Sequence, residues 1–168
     1  MRSKKSIPFN KFVEYFPEIS LPVMLTSETA SEFSKFNHPF PPLIVEEYCR
    51  EWDPQMDELT EFVPCFRLPD TGDFTVIVYY EATLLKYGFY IVSYQNDGHI
   101  ISRKPLNSIL ITDGKIRNSA AIIDEDWGIK VVAGEQDISE IDYNTENTKM
   151  TSLEILPTGD ITYTLDDL

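Results

Sequence analysis

Three times in the second half of this 168-residue chain a turn glycine is followed two residues later by isoleucine: Asp97-Gly98-His99-Ile100, Asp113-Gly114-Lys115-Ile116 and Thr158-Gly159-Asp160-Ile161. Glycine adopts the positive φ that a tight hairpin needs, and in the strand leaving the turn the face repeats every second residue. The signature therefore predicts antiparallel hairpins with Ile100, Ile116 and Ile161 turned into a core. The spacing of the three motifs is too irregular for a propeller or a solenoid.

Upstream the apolar period is helical. Phe9, Phe12, Val13 and Phe16 fall at i, i+3, i+4 and i+7 and form one stripe of a short helix stopped by Pro17. Thr26 and Ser27 offer caps for a second helix, Ser27 to Phe36, and Ile44, Tyr48, Cys49 and Trp52 set out a third, which ends or bends at Asp53-Pro54. Leu21 to Leu25 reads as an edge strand or an extended connection, because Pro22 has no amide to donate. The segment Asn37 to Pro42, with three prolines, is a connector.

From Phe62 the period becomes that of strands. Phe62 to Leu68 and Phe74 to Tyr80 flank a polar turn, and the second run, apolar on both faces, predicts a central strand with the helices covering one side. Tyr87 to Tyr94 and His99 to Ser102 flank Gln95-Asn96-Asp97-Gly98, the clearest hairpin in the chain. Further hairpins follow at 108–123, 121–132 and 150–165, while 133–147 reads as a long acidic loop. The expectation is one α+β domain over 1–168, with a helical region at 1–61 and short helices packed on an antiparallel meander of seven to nine strands at 62–168.

The segments Phe9 to Leu25 and Tyr90 to Ile101 resemble those of small bacterial α+β proteins and lipoproteins, in which a Phe-rich helix and a Leu-Pro segment precede a hairpin meander. The resemblance implies that fold and supplies no catalytic residues. The amino terminus, Met1 to Pro8, lacks both a lipobox and the apolar middle of a signal peptide, and no run of about eighteen apolar residues occurs, so a cytoplasmic chain without membrane contact is expected.

The formal net charge is −14, and its distribution is uneven. Residues 1–50 balance six acids with six bases, whereas 51–100 set nine acids against two bases and 151–168 set four against none. Such a surface repels phosphate backbones, so nucleic acid is not an expected partner, and a basic protein is. Candidate contact residues are Asp53, Asp57, Glu58 and Glu61, with Asp53, Asp57 and Glu61 sharing a helical face by i, i+4 spacing, and Asp124, Glu125 and Asp126 before Trp127-Gly128.

No catalytic motif is recognised. His38 and His99 are the only imidazoles, no Cys-x-x-Cys or His-x-x-x-His pair occurs, and Asp124 to Asp126 lack the ligand pattern of a calcium loop, so neither a metal nor a cofactor is expected. Cys49 and Cys65 read as two buried thiols, with one bridge between them as the alternative. Tyr79, Tyr80, Tyr87, Tyr90 and Tyr94 form either sheet packing or an aromatic binding face. The reading is an acidic, non-enzymatic binding module of inhibitor or immunity type. The alternatives are a small hydrolase using a carboxylate pair and a self-associating structural domain.

Overall fold

The computed structural model describes residues 5–84, 86–112, 115–137 and 149–164, with side chains described except at 108–117 and 135–137. It is α+β: short helices precede and cover an antiparallel sheet of nine strands. The order is α1 (Phe9–Val13), β1 (Val23–Leu25), α2 (Ser27–Phe36), α3 (Pro42–Ile44), a π-helical turn (Val45–Cys49) and α4 (Arg50–Trp52). Then come β2 (Glu61–Arg67), β3 (Phe74–Ala82), β4 (Lys86–Gln95), β5 (Ile100–Thr112), β6 (Lys115–Ile123), β7 (Gly128–Asp137), β8 (Lys149–Ile155) and β9 (Ile161–Tyr163).

Strands β2 to β9 pair in chain order, each antiparallel to the next. The exception to the meander is β1. Strand β5 pairs with β6 only as far as Asn118, and beyond that point β1 takes the same edge of β6, with Leu25 opposite Ala121. Asn107 fills the resulting fork, its amide donating to Leu25 O at 2.8 Å and Ser119 O at 3.3 Å. The sheet also curls, because Ser102 Oγ of β5 donates to Ile161 O of β9 at 3.3 Å.

The central strands explain the two cores. Along β3, Phe74, Val76 and Val78 enter a core enclosed with Leu25, Phe66, Ile123, Ile129, Leu153 and Ile161. Ile77 and Tyr79 point the other way, joining Val92 and Tyr94 of β4 beneath Phe12, Phe16, Tyr48 and Trp52 of the helices. A strand buried on both faces must be apolar on both faces, as the sequence of β3 is. Phe12 and Phe16 are fully buried and Phe9 and Val13 half-buried, so the predicted stripe is the one that docks. Helix α2 runs over the predicted span, with Thr26 and Thr29 closing a reciprocal cap.

Gly98 has φ +96° and Gly159 φ +92°, as their turns require, and Ile161 is buried while Ile100 packs against the helical-side core. Three expectations need correction. The segment 1–61 is not purely helical, since β1 belongs to the sheet and β2 begins at Glu61. The loop expected at 133–147 starts later, because β7 continues to Asp137 along β6; residues 138–148 lie outside the described residues, as does the Asp113-Gly114 turn. Residues 53–60 are turns rather than helix, and their carboxylates cap local amides instead of sharing a face.

Candidate functional site

The candidate contact acids fall into two places. After α4 the chain turns twice: Asp53 Oδ1 accepts from Gln55 N at 3.1 Å, and Asp57 Oδ1 accepts from Leu59 N at 2.8 Å and from Thr60 Oγ1 at 3.2 Å. These side-chain bonds compete with helix and explain why α4 stops at Trp52. They also shape a loop that exposes Asp57 and Glu58 around Leu59, which is 68% exposed. Glu61, opposite Ala82 in the β2–β3 ladder, and Leu84, 73% exposed in the turn after β3, flank the same end of the sheet.

Asp124, Glu125 and Asp126 form the β6–β7 turn, with Trp127 N bonded to Asp124 O and Gly128 N to Asp126 Oδ1. Trp127, at φ +68°, packs edge-on against Phe74 at 5.8 Å, at the start of β3. Phe74 and Glu81 are separated by roughly 23 Å of strand. The two acidic groups therefore sit at opposite ends of β3 and do not form one patch.

One grouping escaped the sequence reading. Glu81 is in phase with Ile77 and Tyr79 on β3, so it too faces the helical layer, with its side chain 8% exposed. Its carboxyl is hydrogen-bonded to that of Asp53, and burial, reinforced by this second carboxyl, pushes Glu81 up to about 7. Its Oε1 is buried without a hydrogen-bond donor. Arg103 Nη2 comes only to 4.0 Å, because the guanidinium is held elsewhere: Nε donates to Tyr79 OH at 2.8 Å and the group lies over the Tyr90 ring at 4.4 Å. Trp52 stacks on the other side of Tyr79 at 3.8 Å and donates Nε1–H to Tyr94 OH at 2.7 Å. Burial accordingly raises the Tyr79 and Tyr94 phenols.

A carboxyl kept partly protonated at neutral pH beside a second carboxylate is the equipment of a general acid. Access is the missing element. Three grooves on the described surface lie elsewhere: about 780 Å³ of mainly apolar groove between α1 and the Asn37–Pro41 connector, a cleft of about 580 Å³ beside Trp127, and a recess of about 10 Å³ at Asn107. His38 lines the first; His99 is exposed and its Nδ1 pairs with Asp97 Oδ1 at 2.9 Å, which holds Asp97 below the usual carboxylate range.

The tyrosines resolve in favour of packing for Tyr79, Tyr90 and Tyr94, all buried, with Tyr80 and Tyr87 half-buried. Cys49 and Cys65 are free and buried, with burial raising both thiols. Among the described residues no group of three or more His, Cys, Asp or Glu side chains is placed to hold a metal ion, and no helix is long and apolar enough to cross a membrane.

Comparison with protein-family models, with curated proteins and with solved structures finds no match to this chain.

Proposed function

We propose that this chain is a non-enzymatic binding domain that docks a basic protein surface through the end of the sheet formed by the Asp53–Thr60 loop, Glu61 and Leu84. The observation that carries this reading is how the cations are used. All three arginines with described side chains are engaged within the fold: Arg50 on Glu46, Arg67 on the carbonyls of Val13 and Phe16, and Arg103 on Tyr79 and Tyr90. Lys5 pairs with Glu51 and lies over Tyr48 at 4.0 Å. Asp57, Glu58 and Glu61 are exposed and have no ion-pair partner among the described residues.

Carboxylates around two exposed leucines supply the components of a docking surface, an apolar centre for burial and a charged rim for steering. The capping bonds of Asp57 hold the loop in shape before a partner arrives, which lowers the ordering cost of binding. The form of binding that suits such a surface is inhibition or immunity, in which the acidic face covers a basic active site.

Cross-linking of the chain to proteins of its source, followed by mass spectrometry, tests this. Cross-links are expected to run from the Asp53–Leu84 end to a basic face, and the charge reversal Asp57→Lys/Glu58→Lys/Glu61→Lys should abolish them. Partners that lack a basic face, or cross-links retained by the reversed variant, would overturn the assignment.

A further inference from the structure

We propose that Asp53 and Glu81 form a proton-gated latch: one proton shared between the two carboxyls fastens the Asp53–Thr60 loop to the end of β3, and its loss loosens the loop. The latch stands whether or not the loop docks a partner.

Geometry makes the proton necessary. Two carboxyls in hydrogen-bond contact repel if both ionise, and here one of them is more than nine-tenths buried. The groups facing Glu81 do not supply a compensating charge at contact distance. On β3 there is Tyr79; on β4, Lys86 and Tyr90, with Lys86 Nζ over the Tyr90 ring at 5.6 Å; on β5, Arg103, bound to Tyr79 OH; in the π-helical turn, Cys49, whose thiol stays protonated. Arg103 could close on an ionised Glu81 only by giving up its bond to Tyr79.

The element on the other side of the latch is built to move. Asp53 to Thr60 is held by short-range bonds, Met56 N to Asp53 O and Thr60 N to Asp57 O, while Trp52 just before it is anchored by Tyr79 and Tyr94. Loosening therefore starts after Trp52 and leaves the helical-side core in place.

With the loop closed, the pair keeps its proton to near neutral pH; with it open, Glu81 ionises as an ordinary glutamate near 4.5. The opening constant should therefore rise roughly tenfold per pH unit from pH 5 to about 6.5 and level off above 7, the slope of one linked proton.

Amide hydrogen exchange at Met56 and Thr60, corrected for intrinsic rates, reads this directly in the unmodified chain. A tenfold loss of protection per pH unit that levels off near neutrality supports the latch, and constant protection overturns it. The carboxyl carbon of Glu81, followed by NMR, should titrate near 7; titration near 4.5 overturns the proposal without any variant. In Glu81→Gln the exchange slope should vanish, and a slope retained in a folded Glu81→Gln protein, checked by circular dichroism, would assign the effect to another group.

Discussion

Glu81→Gln should make the protein more stable at neutral and alkaline pH, although a buried charged residue is being replaced within the core. The reason is proton linkage. Between about 4.5 and about 7 the folded chain holds a proton on Glu81 that the unfolded chain has released, so stability falls as pH rises through that window. Below 4.5 both states are protonated and the group contributes no penalty; above 7 both are ionised and the penalty is complete. The interval from 4.5 to about 7, at about 1.36 kcal/mol per pH unit, sets the full penalty at about 3 kcal/mol. Glutamine has the shape of the protonated acid and an amide that can donate to Asp53, so it escapes the penalty. Urea unfolding of parent and variant at pH 4, 5, 6, 7 and 8 measures the difference, from which the pH dependence of the other carboxylates cancels. The two proteins should differ little at pH 4 and by about 3 kcal/mol in favour of the glutamine variant at pH 8. A difference that does not change with pH would refute the reasoning, because it would mean that Glu81 ionises alike in both states.

The turn and fork residues give three sharper structural tests by the same unfolding measurement. Gly98→Val should cost on the order of 1 kcal/mol or more, since the residue sits at φ +96°, whereas Asp97→Asn should be near neutral because its Oδ1 can still accept from His99 N. Gly159→Ala should cost about 1–3 kcal/mol, because its Cβ would stand 2.8 Å from Ile101 Cδ1 and 3.1 Å from Phe74 Cγ at φ +92°. Asn107→Leu should cost about 2–4 kcal/mol, as it orphans the buried Leu25 and Ser119 carbonyls where β1 meets β6.

What could be read from the sequence was what depends on neighbours along the chain. The shift of period at Phe62, the double-faced run of β3 and the Asn96-Asp97-Gly98 turn each follow from residues within one or two elements, and all appear in the structure. What escaped depends on distant segments. That Val23 to Leu25 would join β6 follows from the departure of β5 after Asn118, far later in the chain, and no local pattern records it. The Asp53 to Glu61 stretch misled because i, i+4 spacing also arises by chance, and Pro54 with two Asx turns favours a loop.

Glu81 was the legible member of the missed grouping. Extending the alternation of β3 by one step beyond Tyr79 puts a carboxylate on the helix-covered face, and a charged side chain there signals an unusual environment. Its meeting with Asp53 and Arg103 was not legible, since it requires the path of the chain after α4 and the register of β5 on β4.

The central claim, docking of a basic surface by the acidic end of the sheet, is tested most directly by the association rate of the captured partner measured across ionic strength. Screening shortens from about 30 Å at 0.01 M to about 8 Å at physiological salt. The rate should therefore fall steeply over that range for the parent and only weakly for the Asp57→Lys/Glu58→Lys/Glu61→Lys variant. An association rate for the parent that is the same at both salts would contradict the account.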